Sequence, residues 1–445
     1  MCLLMPWLEL PANEREALGQ IGASGAKARE EANDDRGSRQ SNSAAESGGS
    51  QCDRPVEPME QAVIAGKKRL DYPASFLDAR ALGSGGKNRM GGRSDLSLVV
   101  KVTNNCNMGC PYCYFRHNAK LDSHNRMSIE VMEKVVASLI ELNEESACFI
   151  WHGGEPLLRG RDFFDRVVSA QHKCLRKLGK SISLSNFIQT NGTLLDDRWI
   201  EFFLQNDFHV GVSLDGPKEL FVKNRGGSDE EFDLIANNVR RASSRLSDLS
   251  ILAVVTEASV GHEAEIFEFF RDLGVMSWGF LPKVEKTPEE CISPARYASF
   301  LSSMLDVWAE SDCPGIQIRE FDEALRGMMG QEMRVCHHRK ECERYITVTP
   351  DGELYPCDCF PQNEKTKIGS LDDGLKAVSL SVEQFFAPSK QLPDGCLQCD
   401  LAQMCKGGCS FNRWIKGDGF RAQQLYCEAY KSFQGHLSEL LGFTG

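Results

Sequence analysis

From residue 97 onward, short runs of β-branched and aromatic residues alternate with stretches whose apolar positions recur every three to four residues. The runs fall at 97–103, 147–151, 184–189, 209–214, 250–255 and 275–281, each the length of a buried strand. Between them, Ile129 to Ile140 and Glu263 to Leu273 carry the apolar spacing of amphipathic helices. Six βα units of this kind predict a parallel sheet. Periodicity alone leaves open whether the sheet closes, stays open or forms part of a barrel. After about residue 330 the alternation stops. Ile346 to Tyr355 reads as a hairpin turning at Pro350-Asp351-Gly352, and the remainder as loops and short helices held by metal. No internal repeat is evident.

Ahead of the alternation, residues 8–71 contain no aromatic residue and are rich in Gly, Ser, Ala, Asn and charge. Such a segment cannot bury enough apolar surface to offset its ordering entropy. The chain therefore divides into a disordered extension (1–95), a βα domain (96–330), a cysteine-rich domain (331–430) and a C-terminal tail (431–445).

A length of 445 residues accommodates a full barrel and a second domain. The net charge of −12 argues against a nucleic-acid partner, which usually meets a basic face. No apolar run approaches the roughly 18 residues that span a bilayer, so no membrane association is expected. Met1 to Pro11 has neither a basic flank nor a small-residue cleavage site and makes a poor signal peptide. Eighteen cysteines are many, and they are grouped. In a long αβ chain, clustered cysteines with CxxC spacing more often bind metal than form disulfides. A cytoplasmic protein with reduced thiols, working at low oxygen, is expected.

The first group follows the first strand directly: Cys106, Cys110 and Cys113, spaced C-x3-C-x2-C. Closed cysteine sites normally supply four thiolates. Three can hold three corners of a [4Fe–4S] cube and leave one iron open to a substrate or cofactor. A zinc knuckle with a distant fourth ligand is the plainer alternative. In parallel βα architectures reactive groups gather at the C-terminal strand ends. Here His152-Gly153-Gly154-Glu155-Pro156 follows strand two, Gln189-Thr190-Asn191-Gly192 strand three, and Ser213-Leu214-Asp215-Gly216-Pro217 strand four. Gly153 and Gly154 lack a Cβ, so a ligand can approach their backbone. Each motif alone could be a plain turn, and Arg225 alone a surface charge; on one rim they converge. A second field runs Cys336-x5-Cys342-x14-Cys357, then Cys396-x2-Cys399-x5-Cys405-x3-Cys409-x17-Cys427. Eight cysteines can complete two four-thiolate sites, either two zincs or two Fe–S clusters. Cys359 is a spare thiol beside Cys357, while Cys148, Cys174, Cys291 and Cys313 read as core or surface thiols.

The three-cysteine loop, with Tyr112 between its last two cysteines, and the following Gly-Gly-Glu-Pro resemble the radical S-adenosylmethionine (SAM) superfamily over residues 96–285. That resemblance implies a partial (β/α)6 barrel whose open iron chelates SAM, cleaved to a 5′-deoxyadenosyl radical. It implies that Tyr112 lies near the adenine, that the Gly154 backbone meets the methionyl amine, and that Ser213 and Arg225 hold the ribose and carboxylate. The second field resembles the C-terminal cysteine-rich SPASM domain, which carries two auxiliary [4Fe–4S] clusters. The family's interleaved ligation assigns Cys336, Cys342, Cys357 and Cys409 to one and Cys396, Cys399, Cys405 and Cys427 to the other, three clusters in all.

Within that group, Gln189-Thr-Asn-Gly-Thr-Leu-Leu195, Ser213 to Lys218, Tyr355-Pro-Cys-Asp358 and Lys367-Ile-Gly369 resemble anaerobic sulfatase-maturating enzymes. The implied activity is oxidation of a sulfatase Cys or Ser side chain to Cα-formylglycine, with Asp358 as the base and flavodoxin or ferredoxin as electron donor. Cys409-Ser-Phe-Asn-Arg-Trp414 departs from that pattern in lacking a Pro-Lys before the Arg. SPASM maturases that crosslink a ribosomally made precursor peptide, through a thioether or a carbon–carbon bond, are the alternative.

Overall fold

A computed structural model describes residues 96–115, 126–313, 315–417 and 419–442, together with a short antiparallel ribbon pairing Met59–Ala62 with Leu70–Pro73. That ribbon was not expected in a stretch so poor in apolar residues. The rest of the segment read as a disordered extension lies outside the described residues.

Each of the six apolar runs forms a strand: β1 (Ser97–Thr103), β2 (Ser146–Gly153), β3 (Ser183–Thr190), β4 (Phe208–Ser213), β5 (Ser250–Val255) and β6 (Ser277–Pro282). All pair in parallel in sequence order. β1 is buried along nearly its whole length, which is why it reads as a continuous apolar run rather than an alternation. Helices cover the sheet. In α1 (Ile129–Leu142), Ser128 caps the start by accepting from the Val131 N–H at 3.2 Å, and Met132, Val135, Val136, Leu139 and Ile140 form the buried stripe. The same logic builds α2 (Arg161–Leu178), α3 (Asp197–Gln205), α4 (Lys218–Arg225), α5 (Asp229–Ser243) and α6 (Glu263–Asp272). An edge-to-face aromatic nest of Trp151, Phe164, Trp199 and Phe202 fills the space between β2, α2 and α3.

The sheet stays open and is wider than six strands. After α7 (Pro294–Glu310), β7 (Gln317–Ile318) extends the β6 edge, followed by α8 (Arg319–Met328). At the other edge β8 (Tyr345–Val348) lies parallel to β1, with Tyr345 opposite Ser97, and turns at Gly352 into β9 (Glu353–Tyr355). β9 in turn pairs with β10 (Gly369–Ser370). The hairpin of the cysteine-rich region thus continues the sheet of the βα domain. Beyond it, Phe360, Phe386, Phe411 and Phe420 form an aromatic nucleus closed by α9 (Leu375–Phe386). Side-chain packing therefore helps hold a region that the sequence reads as held by metal. Buried Arg413 adds to this, donating to the carbonyls of Ser389 (2.7 Å), Gln391 (3.0 Å) and Ala422 (3.2 Å).

Residues 431–440, read as part of a tail, belong instead to α10 (Cys427–Leu440). Its apolar stripe anchors it: Phe433 stacks on Phe321 of α8, and His436 Nε2 lies 2.8 Å from Asp306 of α7.

Candidate active site

The loop after β1 carries three free thiols: Cys106 exposed, Cys110 and Cys113 half-buried. A tight turn closes it, with the Cys113 N–H donating to the Cys110 carbonyl at 3.1 Å. The Met108 N–H and the Asn191 amide point at the Cys106 sulfur, at 3.4 and 3.7 Å. Burial pushes the Cys110 thiol up to about 11 against the pull of the Arg225 charge, and its neighbours Cys113 and Cys106 raise it further. Metal-binding thiols must lose their protons, so loading this loop would release them. Among the described residues no three His, Cys, Asp or Glu side chains converge on a single ion. A cubane spreads its thiolates over separate irons, and three soft donors on one eight-residue loop suit it.

Against this loop lies the turn ending β2. The Gly154 N–H donates to the Thr103 carbonyl and the Glu155 N–H to the Asn105 carbonyl, each at 2.8 Å. A Cβ on Gly154 would run into the Asn105 carbonyl, so only glycine lets the two strand ends approach this closely. With the Gly154 N–H committed, a ligand contact from this residue must use its carbonyl. Glu155 is fully buried and joins β2 to β3. Its carboxyl accepts from the Leu157 N–H (3.0 Å), Thr190 Oγ1 (2.8 Å) and the Asn191 N–H (2.7 Å). Burial raises its pKa to about 7, overriding those bonds.

On the β4 side, Tyr112 reaches from the cysteine loop to donate to Asp215 Oδ2 at 2.5 Å, and Arg225 Nε stands 3.2 Å from the same oxygen. Asp215 Oδ1 accepts from the Val254 N–H at 3.0 Å. Arg225 is therefore a buried, paired cation, not a surface charge. Ser213 Oγ accepts from Gln189 Nε2 at 2.7 Å. Asp215 was not picked out from the sequence, although it sits two residues after Ser213. Nothing in its motif says that Tyr112 and Arg225 would meet on it.

The opposite side belongs to Asp358. Its carboxylate is buried, 2.6 Å from Lys101 Nζ, and accepts a hydrogen bond from the Tyr114 hydroxyl. Burial alone would raise its pKa, but Lys101, His152 and Tyr114 together hold it below the usual carboxylate range. Lys101 itself lies 4.5 Å from the centre of the Phe115 ring.

In the second cysteine field, Cys342 feels Cys409 and Cys336, and Ser410 Oγ lies 3.3 Å from its sulfur. Cys357 is half-buried. The spare Cys359 is buried on the Tyr114 side. Cys396, Cys399, Cys405 and Cys427 line one cavity with His337, His338 and Tyr430. Burial raises the Cys405 thiol to about 11, and Gln424 Nε2 points at its sulfur at 3.6 Å. Of the remaining cysteines, Cys148, Cys174 and Cys291 are half-buried, whereas Cys313, read as a core or surface thiol, is disulfide-bonded.

Residues 100–270 match the family model described as the radical SAM superfamily. The chain is 30% identical over 356 residues to a cysteine-type anaerobic sulfatase-maturating enzyme of Clostridium perfringens (strain 13 / Type A), covering 76% of this chain and 95% of that protein. It is likewise 30% identical over 378 residues to a serine-type anaerobic sulfatase-maturating enzyme of Bacteroides thetaiotaomicron, covering 78% of this chain and 90% of that one. The solved structure of native anSMEcpe with bound AdoMet and Cp18Cys peptide superposes with a TM-score of 0.70 at 29% identity, over 78% of this chain and 97% of that one. No helix among the described residues is long and apolar enough to cross a membrane. By fold, site and relatedness along nearly the full length of its relatives, this chain is a radical SAM enzyme of the anaerobic sulfatase-maturating family.

Proposed function

We propose that this enzyme oxidises a Cys or Ser side chain of a sulfatase to Cα-formylglycine. Its similarity to both a cysteine-type and a serine-type enzyme, each covered to nine-tenths or more of its length, carries this reading. Cys106, Cys110 and Cys113 hold the SAM-binding [4Fe–4S] cluster. Cys336, Cys342, Cys357 and Cys409 hold one auxiliary cluster, and Cys396, Cys399, Cys405 and Cys427 the other. Tyr112 flanks the adenine, the Gly154 carbonyl receives the methionyl amine, and Ser213 and Arg225 serve the ribose and carboxylate. When bound, the cluster and SAM supply a 5′-deoxyadenosyl radical that takes a hydrogen atom from the target Cβ.

The chain's own residues manage what remains. Removal of one hydrogen atom, one proton and one electron turns a Ser side chain into the aldehyde. The same loss turns Cys into a thioaldehyde, which water converts to the aldehyde with release of hydrogen sulfide. Asp358 takes the hydroxyl or thiol proton. Supporting this is its ionised state between Lys101 and Tyr114, since a base must be unprotonated when substrate arrives. Auxiliary clusters held by the eight cysteines of the second field would supply a route for the electron, and flavodoxin or ferredoxin would supply the reducing electron. Grouped reduced thiols suit a cytoplasmic setting.

The test is turnover by anaerobically reconstituted protein, with SAM, a reductant and peptides bearing a sulfatase-type Cys or Ser. An aldehyde captured by hydrazide and seen by mass spectrometry is expected from at least one. Turnover of neither, together with crosslinking of a short precursor peptide, would move the enzyme to the peptide maturases.

A further inference from the structure

Three polar side chains form a row on one face of the sheet. Lys101 of β1 lies opposite His152 of β2, and laterally paired residues on parallel strands share a face. His152 follows Trp151, whose partner is Ile188, so Gln189 of β3 stands next in the row. Gln189 leans across Gly211, where a side chain would collide with its amide, to reach Ser213. The row runs from Asp358 at one end to Ser213 at the other.

His152 is its middle member and is incompletely bonded. Its Nδ1 accepts the Gly153 N–H at 2.7 Å. A neutral imidazole has one donor and one acceptor nitrogen, so this bond assigns the proton to Nε2. Burial drives the ring's pKa down to about 4, with Asp358 and Lys101 acting in opposite senses, and the ring stays neutral. Its side chain is buried, only 6% exposed, and Nε2 has no hydrogen-bond partner among the described residues. Buried donors nearly always find a partner, and leaving one unmet is costly. A partner is owed here, and the row's position says where it comes from. A residue that must offer its Cβ on the Ser213 side and its proton to Asp358 passes directly over His152.

We propose that His152 is a substrate-orienting residue whose Nε2–H donates a hydrogen bond to the peptide at the Cys or Ser being oxidised. This rests on the sulfatase-type reading above. His152 holds the target side chain between the two ends of the row, so that hydrogen-atom removal and proton removal act on the same bound geometry.

Two substitutions separate the nitrogens. His152→Asn keeps an acceptor near Nδ1 for Gly153 but cannot reach to Nε2. His152→Gln carries an N–H out to the Nε2 position. The measurement is fluorescence anisotropy with a labelled peptide bearing a cysteine-type sulfatase site, on reconstituted protein with SAM and no reductant. It is paired with the ratio of 5′-deoxyadenosine to aldehyde formed once reductant is added. His152→Asn should bind the peptide about tenfold more weakly, the scale of one lost hydrogen bond, and its ratio should rise well above that of the wild type. His152→Gln should recover most of both. Equal affinity and ratio in His152→Asn would overturn the proposal, leaving water as the Nε2 partner. An equal loss in both variants, or loss of iron in both, would also overturn it by making His152 a packing residue. Failure of the wild type itself to bind or turn over either a Cys or a Ser peptide would mark failure of the sulfatase reading, and the proposal would fall with it.

Discussion

Lys101 Nζ and Asp358 Oδ1 stand 2.6 Å apart with both side chains buried, joining the central strand β1 to the loop that follows Cys357. The pair ties the βα sheet to the cysteine-rich region at the point where the proposed base works. Removing one member of a buried ion pair leaves the other charge uncompensated and typically costs about 3–5 kcal/mol. Lys101→Met should therefore lower the thermal midpoint sharply. Lys101→Met/Asp358→Asn should recover much of the loss, because no lone buried charge remains. A double-mutant cycle by anaerobic thermal denaturation reads the coupling directly. Additive effects would mean that the two charges do not interact.

Asp358→Asn separates base from scaffold. If Asp358 accepts the substrate proton, aldehyde formation should fall by about 10²–10⁴-fold, the usual scale for losing a positioned base. Transfer of deuterium from a Cβ-labelled peptide into 5′-deoxyadenosine should remain detectable, because hydrogen-atom removal needs no proton acceptor. Full aldehyde yield from the Asn variant would remove Asp358 from the mechanism.

Iron content tests the cluster assignment. Eleven proposed thiolates suit three cubanes, so reconstituted protein should carry about twelve irons. Changing Cys106, Cys110 and Cys113 together to Ala should remove about a third of them and abolish SAM cleavage. A full complement of iron in that variant would relocate the SAM-binding cluster.

Glu155 gives the fold a pH dependence. Its folded pKa, about 7, lies above the unfolded value near 4.5, so the folded state favours the protonated form. That contribution is fully present below about pH 4.5 and is lost as pH rises through 7, amounting to about 3 kcal/mol. Between pH 5 and 8 the wild-type thermal midpoint should fall more steeply than that of Glu155→Gln, whose amide does not titrate. Parallel curves would show that the three donors around Glu155 outweigh its burial.

The six strands were legible because each is a β-branched run between helical stretches, and their ends shifted by only one or two residues. The site's outline was legible where one short motif carries it, as in Cys106 to Cys113 and Gly153-Gly154. Lateral partnership was not. Lys101 reads as one more residue of an apolar strand, and only pairing of β8 with β1 brings Asp358 to it. Periodicity locates strands but does not reveal which distant hairpin will add to an edge. Residues 431–440 were lost for a related reason: α10 has a weakly apolar sequence, and its helix is stabilised by docking on α7 and α8.

Asp215 is the clearest residue that the sequence left unmarked, and its role yields the last prediction. One carboxylate holds Tyr112, Arg225 and the Val254 N–H, so it ties together the cysteine loop, the end of α4 and the end of β5. Tyr112 and Arg225 are two of the four groups assigned to SAM. Asp215→Asn keeps the shape but removes the charge opposite buried Arg225. Two effects should follow. Stability should fall by about 3–5 kcal/mol, as for any buried pair broken on one side. SAM affinity should also fall, because the adenine and carboxylate contacts lose their common anchor. Replacing both Asp215 by Asn and Arg225 by Gln should restore stability without restoring SAM binding, since the second change also removes a SAM contact. Equilibrium dialysis with labelled SAM on the reconstituted protein, beside thermal denaturation, separates the two effects. If SAM affinity recovered in step with stability in the double variant, Arg225 would be serving the fold alone.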